Sequence, residues 1–311
     1  MKKYLFKIGI VFLLLFPLIL LGTFYDYEIT YKLSEIYYDG HKYIYTPQAW
    51  IVPVELISST PTMILLAVCS NLTYIYIKKC LESNQKLKYC GWFMITFSAL
   101  TIFRLCYTLT TEFTKNYELS LIWLVGIGII SIFLFLLLCY FLNKLKTDIL
   151  KSIIDLVIIT LCVGFVIFGV MAVIKFTWGR PRLRNLIDEG NMQGYLPWYK
   201  PMFFSGYASF PSGHATKAGY VFILSIWFRD NEKAKKIFNA IAWIFVTIAC
   251  GARLMQAEHY LTDVVFGTFI TYAIIQFFIY LYYSKWMEKC IKLVKKFFDV
   301  KEKELEPSRR D

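Results

Sequence analysis

Apolar runs of about 20 residues, the length that crosses roughly 30 Å of hydrocarbon, recur along this chain with short polar breaks between them. Eight are predicted as membrane-spanning helices: Tyr4–Thr23, Trp50–Ile77, Gly91–Thr110, Leu119–Leu142, Ile153–Ile174, Ala218–Phe228 with its polar lead-in, Ile237–Leu254 and Leu261–Tyr283. The first begins MKKYLFK, like a secretory leader. LLGTFYDY follows its apolar core in place of a small-residue cleavage site, so an uncleaved span is expected. The expected fold class is all-α, a polytopic membrane helical bundle. Residues 1–284 read as one integral membrane domain and 285–311 as a basic tail. In that tail Trp286, Cys290, Leu293, Phe297 and Val300 recur at helical spacing among lysines. The pattern suits an amphipathic helix on the inner leaflet, or an extension of the last span.

Composition supports lipid as the solvent. The chain is 58% hydrophobic with a mean hydropathy of +0.52, against about 45–50% apolar residues in a soluble domain. The net charge of +12 does not form a nucleic-acid stripe, because the lysines sit between spans. Lys2, Lys3 and Lys7, then Lys78, Lys79, Lys86 and Lys88, then Lys144, Lys146 and Lys151, then Arg229, Lys233, Lys235 and Lys236 share one side if the spans alternate. By the positive-inside bias that side is cytoplasmic, as are both termini, most simply in the cell membrane. Expected partners are membrane lipids and no nucleic acid. The eight cysteines fall in spans, inner loops or the tail. None has metal-ligand spacing, so neither a disulfide framework nor a structural zinc is expected.

Three outer segments carry charges that are costly near a bilayer and so need a reason. They are Lys175 to Arg184 (KFTWGRPRLR), Pro211 to His214 (PSGH), and Arg253 to Asp263 (RLMQAEHYLTD). Charge bias alone places all three on one face. PSGH opens a helix whose first-turn N–H groups and positive dipole end suit an anion, with Gly213 allowing close approach. Lys175, Arg182 and Arg253 add cationic donors for phosphate oxygens. His259 and Asp263 are four apart, hence on one helix face, so the carboxylate can orient a nucleophilic imidazole.

These segments resemble the signature of the type 2 phosphatidic acid phosphatase (PAP2) superfamily: Lys-x6-Arg-Pro, Pro-Ser-Gly-His and Ser-Arg-x5-His-x3-Asp. The resemblance covers about 153–283 by motif. Leu183 stands where the pattern has proline, which bears on loop rigidity. Ala252 stands where it has serine, which removes one hydrogen bond to phosphate. The resemblance implies that His259 attacks phosphorus with Asp263 holding its tautomer, and that His214 protonates the leaving oxygen. It further implies that Lys175, Arg182, Arg253, Ser212 and the Gly213 N–H bind the non-bridging oxygens, with no metal and no cofactor. The implied substrate is a lipid phosphate or diphosphate. A soluble sugar phosphate, or a non-catalytic role in binding or transport, are the other readings; the histidine–acid pair argues against the last.

The remaining polar residues have plainer expectations. Arg180 and Arg184 flank the motif and are read as solvated or meeting headgroups, with substrate contact as the other reading, and His41 as a surface residue in an outer loop rich in tyrosine. Glu55 and Arg104 are placed either for an ion pair between the second and third spans or for separate snorkelling, and Asp155 for the inner interface. The loop carrying Leu196, Trp198, Tyr199, Phe203, Phe204 and Tyr207 is either a lip at the membrane surface or a plug over the spans.

Overall fold

The computed structural model describes residues 2–39, 43–44, 51–82, 84–114 and 119–284, with parts of 289–301. Its helices are α1 (Lys2–Leu33), α2 (Ile51–Cys80), α3 (Gln85–Thr114), α4 (Leu121–Asn143), α5 (Thr147–Trp178), α6 (Leu183–Asp188), α7 (Gly213–Tyr220), α8 (Glu232–Met255) and α9 (Leu261–Tyr282). A two-residue pairing of Tyr37–Tyr38 with Tyr43–Ile44 is the strand content among the described residues. The chain is an all-α polytopic bundle: seven of the described helices are long and apolar enough to cross a membrane.

The sixth expected span is the exception. Residues 213–220 form α7, and Val221–Phe228 continue it as an eight-residue 3₁₀ helix. At 1.5 Å and 2.0 Å per residue these two pieces reach about 28 Å, so the tighter winding lets a short segment cover nearly the hydrocarbon thickness. Three residues then connect it to α8, whose first turn is capped by Asn231 accepting from the Ala234 N–H at 2.9 Å. The two run antiparallel, with Phe222 against Trp243 at 4.7 Å. The first span is also longer than expected. The 32 residues of α1 reach about 48 Å, well beyond the hydrocarbon. The helix bends at Tyr25 (φ −130°, ψ 17°), so its last turns form no loop but continue past the bilayer level.

The chain divides into two compact units. One comprises Met1–Thr62 and Val163–Tyr280, the other Met63–Cys162 and Leu281–Asp311. In the second, Ala67, Ile102, Cys106 and Ile127 make the core. The Ser98 hydroxyl donates to the Ala67 carbonyl at 2.9 Å, and the Lys79 ammonium donates to the Asn143 and Leu145 carbonyls at the end of α4. Asp155 is half-buried and accepts from the Tyr282 hydroxyl. Arg104 is exposed and lies over the Tyr107 ring. The side chain of Glu55, with the ion pair expected of it, lies outside the described residues, as do His41 and most of the tail, including Trp286 and Cys290.

The first unit holds all three motif segments. Two glycines let its backbones meet. A Cβ on Gly267, one turn after Asp263, would stand 2.8 Å from the Ser212 carbonyl oxygen, and one on Gly22 would stand 2.7 Å from Thr262 Cγ2. Real Cβ atoms do not tolerate such approaches, so α9 can press against the PSGH turn on one side and α1 on the other only because both positions lack a side chain.

Candidate active site

His259 precedes α9 in a tight turn that begins at Ala257, a residue in the left-handed region (φ 54°). The turn is held by the Ala257 N–H donating to the Leu254 carbonyl at 3.1 Å and by the Arg184 N–H donating to the Ala257 carbonyl at 2.9 Å. It aims the imidazole at Asp263 in the first turn of α9. Nδ1 stands 3.5 Å from Asp263 Oδ2, and the ring is 2% exposed. That distance is long for a hydrogen bond, as is common in unliganded sites. Because Nδ1 faces the carboxylate, the neutral ring carries its proton there and leaves Nε2 as the basic nitrogen.

Asp263 is surrounded by donors. Its Oδ2 accepts from the Tyr260 N–H at 3.0 Å and from the Ser209 hydroxyl, and its Oδ1 from Arg180 Nη1 at 2.6 Å. Ser209 also stands 3.4 Å from His259 Nδ1, so its hydroxyl sits against both members of the pair. Ser209, two residues before the PSGH motif, carried no signal in the sequence beyond its position.

The PSGH turn packs on the same carboxylate's backbone: the Ser212 N–H donates to the Asp263 carbonyl at 2.9 Å. Ser212 is fully buried and its hydroxyl oxygen accepts from the Ala215 N–H at 3.3 Å, the N-cap bond of α7. Its oxygen therefore builds the helix mouth, and the Gly213 N–H beyond it has no acceptor within the helix. Lys175, at the end of α5, lies against this mouth. A Cβ on Gly213 would be 3.5 Å from Lys175 Cε and 4.0 Å from Nζ, while Nζ donates to the Ala208 carbonyl at 2.7 Å. His214 is half-buried in the same turn.

The cations in front of the histidines converge on Glu258. Arg182 Nη1 stands 2.8 Å from Glu258 Oε2, Arg184 Nη1 2.9 Å from Oε1, and Arg253 Nη2 3.3 Å from Oε2. Arg253 Nη1 also donates to Gln256 Oε1 at 2.7 Å. Burial alone would raise the Glu258 carboxyl, but Arg253, Arg182 and Arg184 outweigh it and hold it down to about 2. Glu258 is thus a fixed anion joining the arginines of the first and third segments. It was read in the sequence only as a spacer position.

Two expectations are corrected. Arg180 is not solvated and meets no headgroup: it is 1% exposed beneath Asp263. The loop from 189 to 210 is neither all lip nor all plug. Its inner part packs down, with Trp198 stacked on Phe210 and against Phe266, and its indole N–H donating to the Thr23 hydroxyl at 3.0 Å. Its tip stays open: Tyr199, Phe203 and Phe204 are more than half exposed, and Phe204 meets the exposed Phe176 edge-on at 5.5 Å. Leu183, in the pattern's proline position, is fully buried at the start of α6, among Ile36, Ala257 and Tyr260. Helix formation and burial give that segment the rigidity a proline would have lent.

The electrostatics favour neutral imidazoles. Burial pushes His259 down to about 3, with Lys175 and Arg253 adding to the shift and the Asp263 hydrogen bond opposing it. Burial also pushes His214 well below the usual histidine value, helped by Arg253, Lys217, His259 and Arg182. The two rings are therefore within electrostatic reach of each other, inside a cluster of cations.

A histidine aimed by a buried acid, at a cation-lined helix mouth, is an arrangement chemically suited to the transfer of an anionic group. Residues 155–287 match the model of the PAP2 superfamily, a phosphatase family, and over that stretch the chain is similar to it. No curated protein and no solved structure matches the chain.

Proposed function

We propose that this protein hydrolyses a lipid phosphate or lipid diphosphate, of the phosphatidic acid, phosphatidylglycerol phosphate or polyprenyl diphosphate type, at the extracytoplasmic face of the cell membrane. The observation that carries the proposal is the His259–Asp263 pair, at 3.5 Å, set behind the cations Lys175, Arg182 and Arg253. His259 Nε2 attacks phosphorus, and the bond to the leaving oxygen breaks with its electron pair going to that oxygen. His214 gives that oxygen a proton. Water then attacks the phosphohistidine, His214 takes a proton from it, and orthophosphate leaves with His259 restored. Lys175, Arg182, Arg253 and the Gly213 N–H bind the non-bridging oxygens and stabilise the charge of the transition state. Ser212 shapes that mouth. These cations supply the charge neutralisation, so the reaction needs no metal ion. The exposed aromatic tip around Phe203 and Phe204, joined to the site through Ser205 donating to the Gly179 carbonyl at 2.8 Å, supports a substrate presented from a lipid surface.

Phosphate release by the purified protein, across a panel of lipid phosphates, diphosphates and sugar phosphates with chelator present, tests this. Lipid substrates are expected to turn over, vanadate to block them as a transition-state mimic, and His259→Ala to lower kcat by roughly four orders of magnitude or more. A preference for sugar phosphates, a strict metal requirement, or turnover surviving in His259→Ala would each overturn its part of the reading.

A further inference from the structure

The N-terminal helix lies outside the stretch that matches the PAP2 superfamily, yet it reaches the catalytic acid. Three observations converge on one contact. Asp26 is 1% exposed, and its Oδ1 accepts from the Thr262 N–H at 2.9 Å, a donor in the first turn of α9 with no acceptor inside that helix. Its Oδ2 accepts from the Thr262 hydroxyl and, at 2.9 Å, from Arg180 Nη2. One turn earlier, Gly22 brings the α1 backbone against Thr262, where a Cβ would be 2.7 Å from Cγ2 and 2.9 Å from Asp26 Oδ1. The bend of α1 at Tyr25 falls beside this contact.

Arg180 carries the contact onward. A guanidinium has five N–H donors, and each of them has an acceptor here. Nε donates to the Leu196 carbonyl at 2.8 Å. Nη1 donates to Thr262 Oγ1 at 2.9 Å and Asp263 Oδ1 at 2.6 Å, and Nη2 to Asp26 Oδ2 at 2.9 Å and the Tyr195 hydroxyl at 3.4 Å. The Tyr260 ring covers one face of the guanidinium at 4.1 Å. With its donors committed, Arg180 binds no substrate. It ties the Asp26 carboxylate to the Asp263 carboxylate across a dry gap.

We infer that Asp26 is a positioning residue: with Thr262 and Arg180 it fixes the start of α9, so that Asp263 and His259 keep their attacking geometry. The site is therefore completed by the first helix of the chain. Asp26 acts through other residues and touches none of the phosphate ligands, so its loss affects the chemical step and spares binding. This inference rests on the phosphatase reading above.

The test compares wild type with Asp26→Asn, which keeps the shape and removes the charge, and with Thr262→Val, which removes the shared hydroxyl. Each is assayed on the panel substrate that wild type turns over fastest, with orthovanadate as the ligand for counting folded sites. Both variants are expected to lose roughly 10- to 100-fold in kcat, the scale of a small misplacement of a reacting group, with vanadate affinity held within about twofold. The acid limb of kcat/KM in Asp26→Asn is expected at lower pH, since removing a nearby negative charge makes His259 harder to protonate. Glu28→Gln, on the exposed side of α1, is expected to leave kcat and the limb unchanged. Unchanged kcat per vanadate-binding site in an active background overturns the inference alone. Failure of both variants to fold also overturns it, because the contact is then structural. A wild type that releases no phosphate from any substrate overturns the phosphatase reading and this inference with it.

Discussion

Two carboxylate–arginine clusters stand within this site, built of the same groups and set to opposite uses. Beneath the histidine, Arg180 joins Asp26 and Asp263, and all three side chains are at most 1% exposed. In front of it, Glu258 joins Arg182, Arg184 and Arg253, with Arg182 and Arg184 side chains 36% and 45% exposed. The buried cluster is saturated: donors and acceptors are matched, and nothing remains to meet a ligand. The front cluster is one anion shared by three cations, so its charge is positive in excess and a phosphate dianion can enter the remaining demand. Ion-pair chemistry alone does not separate scaffold from binding surface. Water access and the balance of charge do.

The largest effect expected from breaking this contrast is at Arg180. Removing the guanidinium leaves Asp26 and Asp263 facing each other in a dry interior, the situation that typically costs about 3–5 kcal/mol. Arg180→Ala is therefore expected to lower the thermal stability of the detergent-solubilised protein sharply and to abolish turnover. Arg180→Lys is expected to rescue little, because an ammonium has three donors in place of a planar fork. A stable Arg180→Ala protein would mean that the buried cluster is not the scaffold described.

How much of this was legible beforehand divides along the same line. The front of the site announces itself in sequence, because Lys175, Arg182, His214, Arg253 and His259 are polar residues at the ends of apolar runs and need a reason to be there. The scaffold behind it gives no such signal. Asp26 lies 154 residues from Arg180 and 236 from Thr262, and in the sequence it reads as one more acid in an outer loop. Arg180, two positions from the motif arginine Arg182, has the composition of a headgroup contact. Only the fold shows that it points inward. The sixth segment was legible as an apolar run, but its 3₁₀ winding was not, since apolar content does not fix residues per turn.

A smaller effect separates the two histidines from the cations around them. Burial, with the surrounding cations adding to it, holds His214 well below its ordinary value, so at neutral pH it is deprotonated and cannot yet act as an acid. A bound dianion offsets those charges and raises it. Anion binding is therefore expected to take up a proton. Sulfate suits the measurement because it does not itself titrate near neutrality: at pH 7 its binding enthalpy should vary with the ionisation enthalpy of the buffer, by on the order of one proton or less. His214→Ala should abolish that dependence. For the same reason the alkaline limb of kcat, which reports the complex, should lie above that of kcat/KM, which reports the free enzyme. Coincident limbs, with no buffer dependence, would remove His214 from the role of acid.

The smallest effect is expected at Arg184, where it distinguishes the two exposed arginines from each other. Arg182 and Arg184 hold opposite oxygens of Glu258 at nearly equal distances, 2.8 and 2.9 Å, yet Arg182 also lies close enough to His214 to help depress it, and its side chain is the less exposed of the two, 36% against 45%. On the proposed reading a phosphate beside the histidines meets Arg182 directly and Arg184 chiefly through Glu258. Arg182→Ala is expected to weaken vanadate binding by roughly 10-fold or more, the scale of a lost charge-assisted hydrogen bond. Arg184→Ala loses only a long-range contribution from a group nearly half in water, about two- to threefold at low salt. At 0.15 M salt the screening length is about 8 Å, so the Arg184 effect should shrink further while the Arg182 effect persists. Equal losses in the two variants, with the same salt dependence, would mean that the substrate spans the rim and that Arg184 belongs to the binding site.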